Sequence, residues 1–134
     1  MKIIKKEIII NAPVAKVWEH ITDPKKIEGW FRPNTFEARV GAEITIDCST
    51  DEDKIFGVVT EVIPLKKLVY TFKSHLTKVQ TLVTITLAQE GENTRLTLVH
   101  SGWDKLPPGE ESNIGRFDDG WGGFLKTLQE IARK

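Results

Sequence analysis

Two residues of this chain with hydrogen-bonding and acid–base chemistry fall on runs of strand-like alternation. Tyr70 lies between Leu68 and Phe72, and His100 follows Leu96 and Leu98 in step. Alternate residues of a strand share a face, so both polar groups go inward with their apolar neighbours. A buried phenol or imidazole needs a hydrogen-bond partner, and a ligand or a trapped water could supply it. No carboxylate or nucleophile stands near His100 in a relay-like pattern, which speaks against His100 as a catalytic base. The three histidines, His20, His75 and His100, are too scattered to form a helical metal pair, and Cys48 is the single cysteine. Neither an internal disulfide nor a multi-cysteine metal site is therefore possible, and the strand-like setting of Cys48 reads as a buried, inert thiol. With no glycine-rich phosphate loop and no nucleophile elbow, the sequence points to no catalytic residue, no metal and no cofactor.

The elements that must hold Tyr70 and His100 follow from periodicity. Lys2 to Asn11 is rich in isoleucine and reads as a first strand. Pro13 suits a first helical position, and Val14, Val17, Trp18 and Ile21 follow at helical spacing. Asp23-Pro24 repeats the start signal and predicts a second short helix ending near Gly29. From Thr35 to Ser101 the period drops to two, with turn clusters at Val40-Gly41, Ser49 to Asp53, Pro64 to Lys67, Ser74 to Lys78 and Glu90 to Asn93. Six strands fit between them, seven with the first, and their apolar/polar alternation indicates an antiparallel sheet with one dry face. From about Ser112 to Arg133, Ile114, Phe117, Trp121, Phe124, Leu125, Leu128 and Ile131 form one stripe, predicting a long helix laid on that face. The class is α+β.

Bulk properties narrow the possibilities further. The 134 residues make one domain, 1–134, without linker, repeat or low-complexity tract. Lys+Arg and Asp+Glu each number 19, giving a formal net charge of zero, and no basic stripe is present to track phosphates. Nucleic acid is not an expected partner. The apolar runs fall well short of the ~18 residues of a membrane span, and Met1-Lys2 opens no secretory signal, so a cytoplasmic protein without membrane insertion is expected.

If sheet and helix enclose a cavity, parity names its walls: Ile46, Val59, Tyr70, Phe72, Val83, Ile85, Leu98 and His100 from the strands, and Phe117, Trp121 and Phe124 from the helix. Apolar walls with a few polar tips are typical of small-molecule sites, although any folded sheet needs a dry face with or without a cavity. The segments Trp30-Phe31-Arg32-Pro33 and Trp103 to Gly109 could serve as the mouth or a docking surface, or Trp30 and Trp103 could pack as lids over the core. Gly120, Gly122 and Gly123 flank Trp121, and each costs a helix interior about 1 kcal/mol relative to alanine. They either leave room beside the sheet or mark a helix that starts late, near Gly120.

The segments Ile10-x-Ala12-Pro13-x-x-x-Val17-Trp18, Thr22-Asp23-Pro24 with Trp30, Gly57-x-Val59-x-x-Val62-x-Pro64-x-x-x-Leu68-x-Tyr70-x-Phe72, Thr94-Arg95-Leu96-Thr97-Leu98-x-His100-x-Gly102-Trp103 and Gly120-Trp121 run nearly end to end. In their order and spacing they resemble the activator of HSP-90 ATPase homologue-1-like family of the START-like, birch-pollen-allergen-like (SRPBCC) superfamily. The resemblance implies a helix-grip fold: a strongly bent seven-stranded antiparallel sheet around a long C-terminal helix, with two short helices between strands one and two and a deep apolar cavity. It also implies binding of a small, largely hydrophobic ligand, lipid-like or polyaromatic. Two alternatives come with it: a stress-related domain that interacts with an HSP-90-type chaperone, and a cyclase or hydrolase acting inside the cavity, for which His100, Tyr70 and Glu61 would be the groups available to shuttle a proton.

Overall fold

The computed structural model describes residues 3–47, 54–74, 79–106 and 112–133. Cys48 and His75 lie outside them. The chain begins with strand β1 (Ile4–Ile10), helix α1 (Val14–Thr22) and helix α2 (Pro24–Trp30). Strands β2 (Glu43–Ile46), β3 (Ile55–Ile63), β4 (Lys67–Phe72), β5 (Thr81–Glu90) and β6 (Asn93–Ser101) follow, then a 3-10 turn at Trp103–Lys105 and helix α3 (Ser112–Ala132).

All pairings are antiparallel, in the order β1-β6-β5-β4-β3-β2, so that the first strand closes against the last. Inward parity holds where the alternation is cleanest. In β6, Thr94, Leu96, Leu98 and His100 are buried, and in β5, Thr81, Val83, Ile85 and Leu87 are. A bulge between Val59 and Glu61 shifts the β3–β4 register. Trp121, Leu125, Leu128 and Ala132 of α3 are buried on the dry face, and Gln129 Nε2 donates to the backbone oxygen of Ile9 at 2.7 Å, tying the helix to β1. Among the described residues, no helix is long and apolar enough to cross a membrane.

Among the described residues the sheet has six strands rather than the expected seven. The missing one would have followed Thr35. The chain there does run beside β2: the Thr35 N–H donates to the Thr45 oxygen at 3.0 Å and the Asp47 N–H to the Pro33 oxygen at 2.8 Å. Side chains then take over the ladder, since Asn34 Oδ1 accepts the Phe36 N–H at 2.9 Å and Thr35 Oγ1 accepts the Thr45 N–H at 2.9 Å. Only an isolated Asn34–Ile46 bridge remains. Such local side-chain bonds offer the backbone an alternative to strand pairing.

The two helices before β2 share one residue as stop and start. The Asp23 N–H closes α1 on the Glu19 oxygen at 2.9 Å, and its carboxylate accepts the Lys25 N–H at 3.0 Å to open α2, with Pro24 in the first turn. That corner aims α2 at α3 and delivers Trp30 and Phe31 to the end of the sheet-and-helix sandwich.

Candidate functional site

At the C-terminus of α2 the Trp30 indole N–H donates to the His20 backbone oxygen at 2.7 Å, which fixes the ring in the core. Phe31 leaves the helix with φ −123° and ψ −102°, its N–H bonded to the Ile27 oxygen at 2.7 Å. This turn lays the Phe31 ring between Trp30 and Trp121, stacked at 5.5 and 5.3 Å, with Phe124 edge-on at 4.7 Å.

Beside this aromatic file a cavity of about 240 Å3 opens to solvent between α3 and the β3–β4 end of the sheet. Phe31, Ile55, Phe72, Phe117, Trp121 and Phe124 give it apolar walls, Gly120 leaves one side bare, and Arg32 and Arg116 are its charged lining groups. On the other side of Phe31 lies a void of about 20 Å3, bounded by α1 and α2 residues, Asn34 and Phe36, and on the sheet by Ile46, Tyr70 and Ile85. That is room for about one water. The Tyr70 side chain lines this void. Burial holds the phenol well above its ordinary pKa, so it stays protonated and able to donate.

His100 is fully buried behind the cavity wall, and the protein supplies partners to both ring nitrogens. Thr81 Oγ1 gives its one proton to the Phe72 backbone oxygen at 2.7 Å, so at 2.6 Å from His100 Nε2 it must accept, which places the imidazole proton on Nε2. His100 Nδ1 then accepts the Trp121 indole N–H at 3.0 Å. The neutral ε tautomer satisfies every member of the set, and burial pushes the imidazole down to about 3. Trp103 covers the ring from the far side, donating its indole N–H to the His100 backbone oxygen at 3.0 Å. His100 therefore positions Trp121, one wall of the open cavity. Glu61 lies apart from it, half-exposed and paired with Lys67 at 3.3 Å.

The residues named from sequence separate into three groups. Phe72, Phe117, Trp121 and Phe124 meet at the open cavity. Trp30, Ile46, Tyr70 and Ile85 meet at the small void. Val59, Val83, Leu98, His100 and Trp103 are fully buried and line neither space. The two tryptophans expected in loops instead end α2 and open the 3-10 turn, and both are buried in the core. The segment Trp30-Phe31-Arg32-Pro33, expected as a mouth or docking surface, does bring Phe31 and Arg32 to the open cavity, whereas Ile55, Arg116 and the dividing role of Phe31 were not legible from sequence.

The structure also decides between the two accounts of the glycines. The α3 helix begins at Ser112, so no late start explains them. A Cβ at Gly120 or Gly123 would meet nothing within 4 Å, and at Gly122 only the Lys6 ammonium at 3.9 Å. Close packing does not demand them, and at Gly120 the missing side chain is open cavity.

A family model described as Activator of Hsp90 ATPase homolog 1-like protein matches residues 11–133. Comparison with curated proteins found no match. Among solved structures, protein MLL2253 from Mesorhizobium loti superposes with a TM-score of 0.86 at 27% identity, covering 97% of this chain and 96% of that one. DynU16, from the dynemicin biosynthetic locus, gives a TM-score of 0.82 at 27% identity, covering 97% of this chain but 46% of its own. The Aha1 dimer from Colwellia psychrerythraea gives 0.82 at 19% identity, covering 99% and 97%, a likeness of fold alone. With the six-stranded sheet gripping α3 and a family match from Asn11 to Arg133, the chain belongs to the Activator of Hsp90 ATPase homolog 1-like protein family.

Proposed function

We propose that this domain binds a small, largely hydrophobic ligand in the open cavity between the sheet and α3. The observation that carries the reading is the cavity of about 240 Å3 walled by four phenylalanines and Trp121. Burial of apolar surface supplies the affinity, at roughly 25 cal/mol per Å2. The volume lies just below the ~300–1,000 Å3 of drug-sized sites, which favours a one- or two-ring compound or a medium-length chain over a large polycyclic one. That a relative in fold and sequence, DynU16, comes from a biosynthetic locus for a small molecule is in keeping with this role.

The test is a titration of the labelled protein with a pooled library of small apolar compounds, followed by backbone amide shifts. Saturable shifts at Phe31, Phe72, Phe117 and Trp121 are expected. Gly120→Leu should abolish them by filling the cavity while the helix gains roughly 0.5–1 kcal/mol from losing a glycine. A flat response across the library, or uptake undiminished in Gly120→Leu, would sink the reading.

The family description supports a second reading, a chaperone-interacting domain. It is distinguished by its indifference to the cavity: stimulation of an HSP-90-type ATPase would survive Gly120→Leu.

A further inference from the structure

The cavity has a charge character that apolar burial does not explain. Arg32 and Arg116 approach it from two different elements, the segment after α2 and the first half of α3. Of the other arginines, Arg39 pairs with Glu37 at 3.1 Å and Arg95 with Glu7 at 2.7 Å and also with Glu90, while Arg133 at the end of α3 does not line this cavity. Neither Arg32 nor Arg116 has an ion pair among the described residues. The neighbouring acids leave them so. Asp118 is engaged by Lys6 at 3.2 Å, and Asp119, three residues beyond Arg116 on α3, forms no ion pair with it. The Arg32 guanidinium is held 5.7 Å from the centre of the Phe124 ring, itself a cavity wall, so its charge is anchored at the site. The chain as a whole is neutral, and this positive lining is a local feature.

From these observations we propose that the ligand is an anionic amphiphile, with a medium-length chain or small ring system in the aromatic cavity and a carboxylate held by Arg32 and Arg116. The inference rests on the ligand-binding reading above and names the chemical class. A guanidinium offers paired N–H donors in a rigid fork that matches a carboxylate, and such charge-assisted bonds are stronger than neutral ones. The mouth is open to water, so the charge adds selectivity while the apolar walls supply most of the affinity.

The experiment compares three probes with the same eight-carbon tail, octanoate, 1-octanol and octylamine, titrated into the intact protein at low salt and followed by amide shifts. Octanoate should bind about tenfold more tightly than 1-octanol, and octylamine more weakly than either. Added salt should erode only the preference for octanoate. In R32Q/R116Q the octanoate-to-octanol affinity ratio should fall to near one. Because Arg32 also packs on Phe124, R116Q alone serves as a second variant and should lower the ratio part of the way. Saturable binding with equal affinities for octanoate and octanol, or a ratio unchanged in both variants, would overturn the anionic assignment and leave the hydrophobic-ligand reading standing. No binding by any of the three would overturn the anionic assignment, and a flat response to the apolar library besides would overturn both.

Discussion

Replacing His100 by alanine is expected to destabilise the fold by roughly 3–5 kcal/mol, more than truncating a single buried contact of its size would. Two buried partners depend on the ring: the Trp121 indole N–H loses its acceptor and Thr81 Oγ1 loses its donor, in a region where every fully buried polar side-chain atom is paired. Urea unfolding at pH 7 measures the loss. The same residue carries a pH signature with a definite sign. Unfolded, the imidazole takes up a proton near its ordinary value of 6.5, whereas folded it resists until about 3. The unfolded state therefore binds more protons throughout that window, and stability present above pH 6.5 is lost as pH falls. The slope is about 1.4 kcal/mol per pH unit, so roughly 2–3 kcal/mol is gone by pH 4.5. Protonation would also set an Nδ1–H against the Trp121 N–H, donor against donor. Exposed carboxylates such as Glu19 and Glu90, held below their usual range by Lys26 and Arg95, add an acid slope of their own. The contribution of His100 is isolated by comparison with H100Q, whose slope should be visibly shallower. Equal slopes would show that the imidazole does not carry the effect.

The second large effect is expected at Gly57, where alanine should cost at least about 3 kcal/mol. A Cβ there would stand 2.0 Å from the Thr71 backbone oxygen and 3.1 Å from its carbonyl carbon, inside the neighbouring strand rather than beside a side chain that could yield. To make room, β3 and β4 must part where Phe56 and Lys73 exchange two hydrogen bonds of 2.9 Å and where the Val58 N–H donates to Thr71 Oγ1 at 2.8 Å. Thermal unfolding should show a fall in Tm on the order of 10 °C or more. G120A is the informative companion, because its Cβ meets open space and its helix gains, so the two glycine-to-alanine changes should move stability in opposite directions. A G57A protein within 0.5 kcal/mol of the parent would mean that the strands separate more freely here than their hydrogen bonds imply.

Much of the architecture was legible because it is periodic. The stripe from Ile114 to Ile131 and the alternation through Leu96, Leu98 and His100 each declare a face, and Asp23-Pro24 declares a boundary. The expected strand after Thr35 failed because short polar side chains there bond to backbone, a competition that alternation does not register. The site was less legible for a different reason. Parity says that Val59, Val83 and Leu98 point inward, but not whether anything stands opposite, and in each case the space is filled. Nor does it say that Thr81, nineteen residues from His100, is the partner that completes its hydrogen bonding. That pairing exists only once the β5–β6 register places Val83 across from His100. Arg116 escaped notice because a lone arginine beside an aromatic on a helix looks like any solvated charge until the cavity under it is seen.

Phe31 is the common wall of the open cavity and of the void that Tyr70 lines. A partition made of one side chain turns ligand length into a conformational question. Under the proposed function, short guests would be accommodated with the ring in place. A longer one would reach the phenol only with the ring swung aside, and its apparent affinity would be reduced by the fraction of time the ring spends there. The aromatic stack with Trp30 and Trp121 would set that fraction, so that in a ligand-binding domain the strength of a ring contact would act as a molecular ruler.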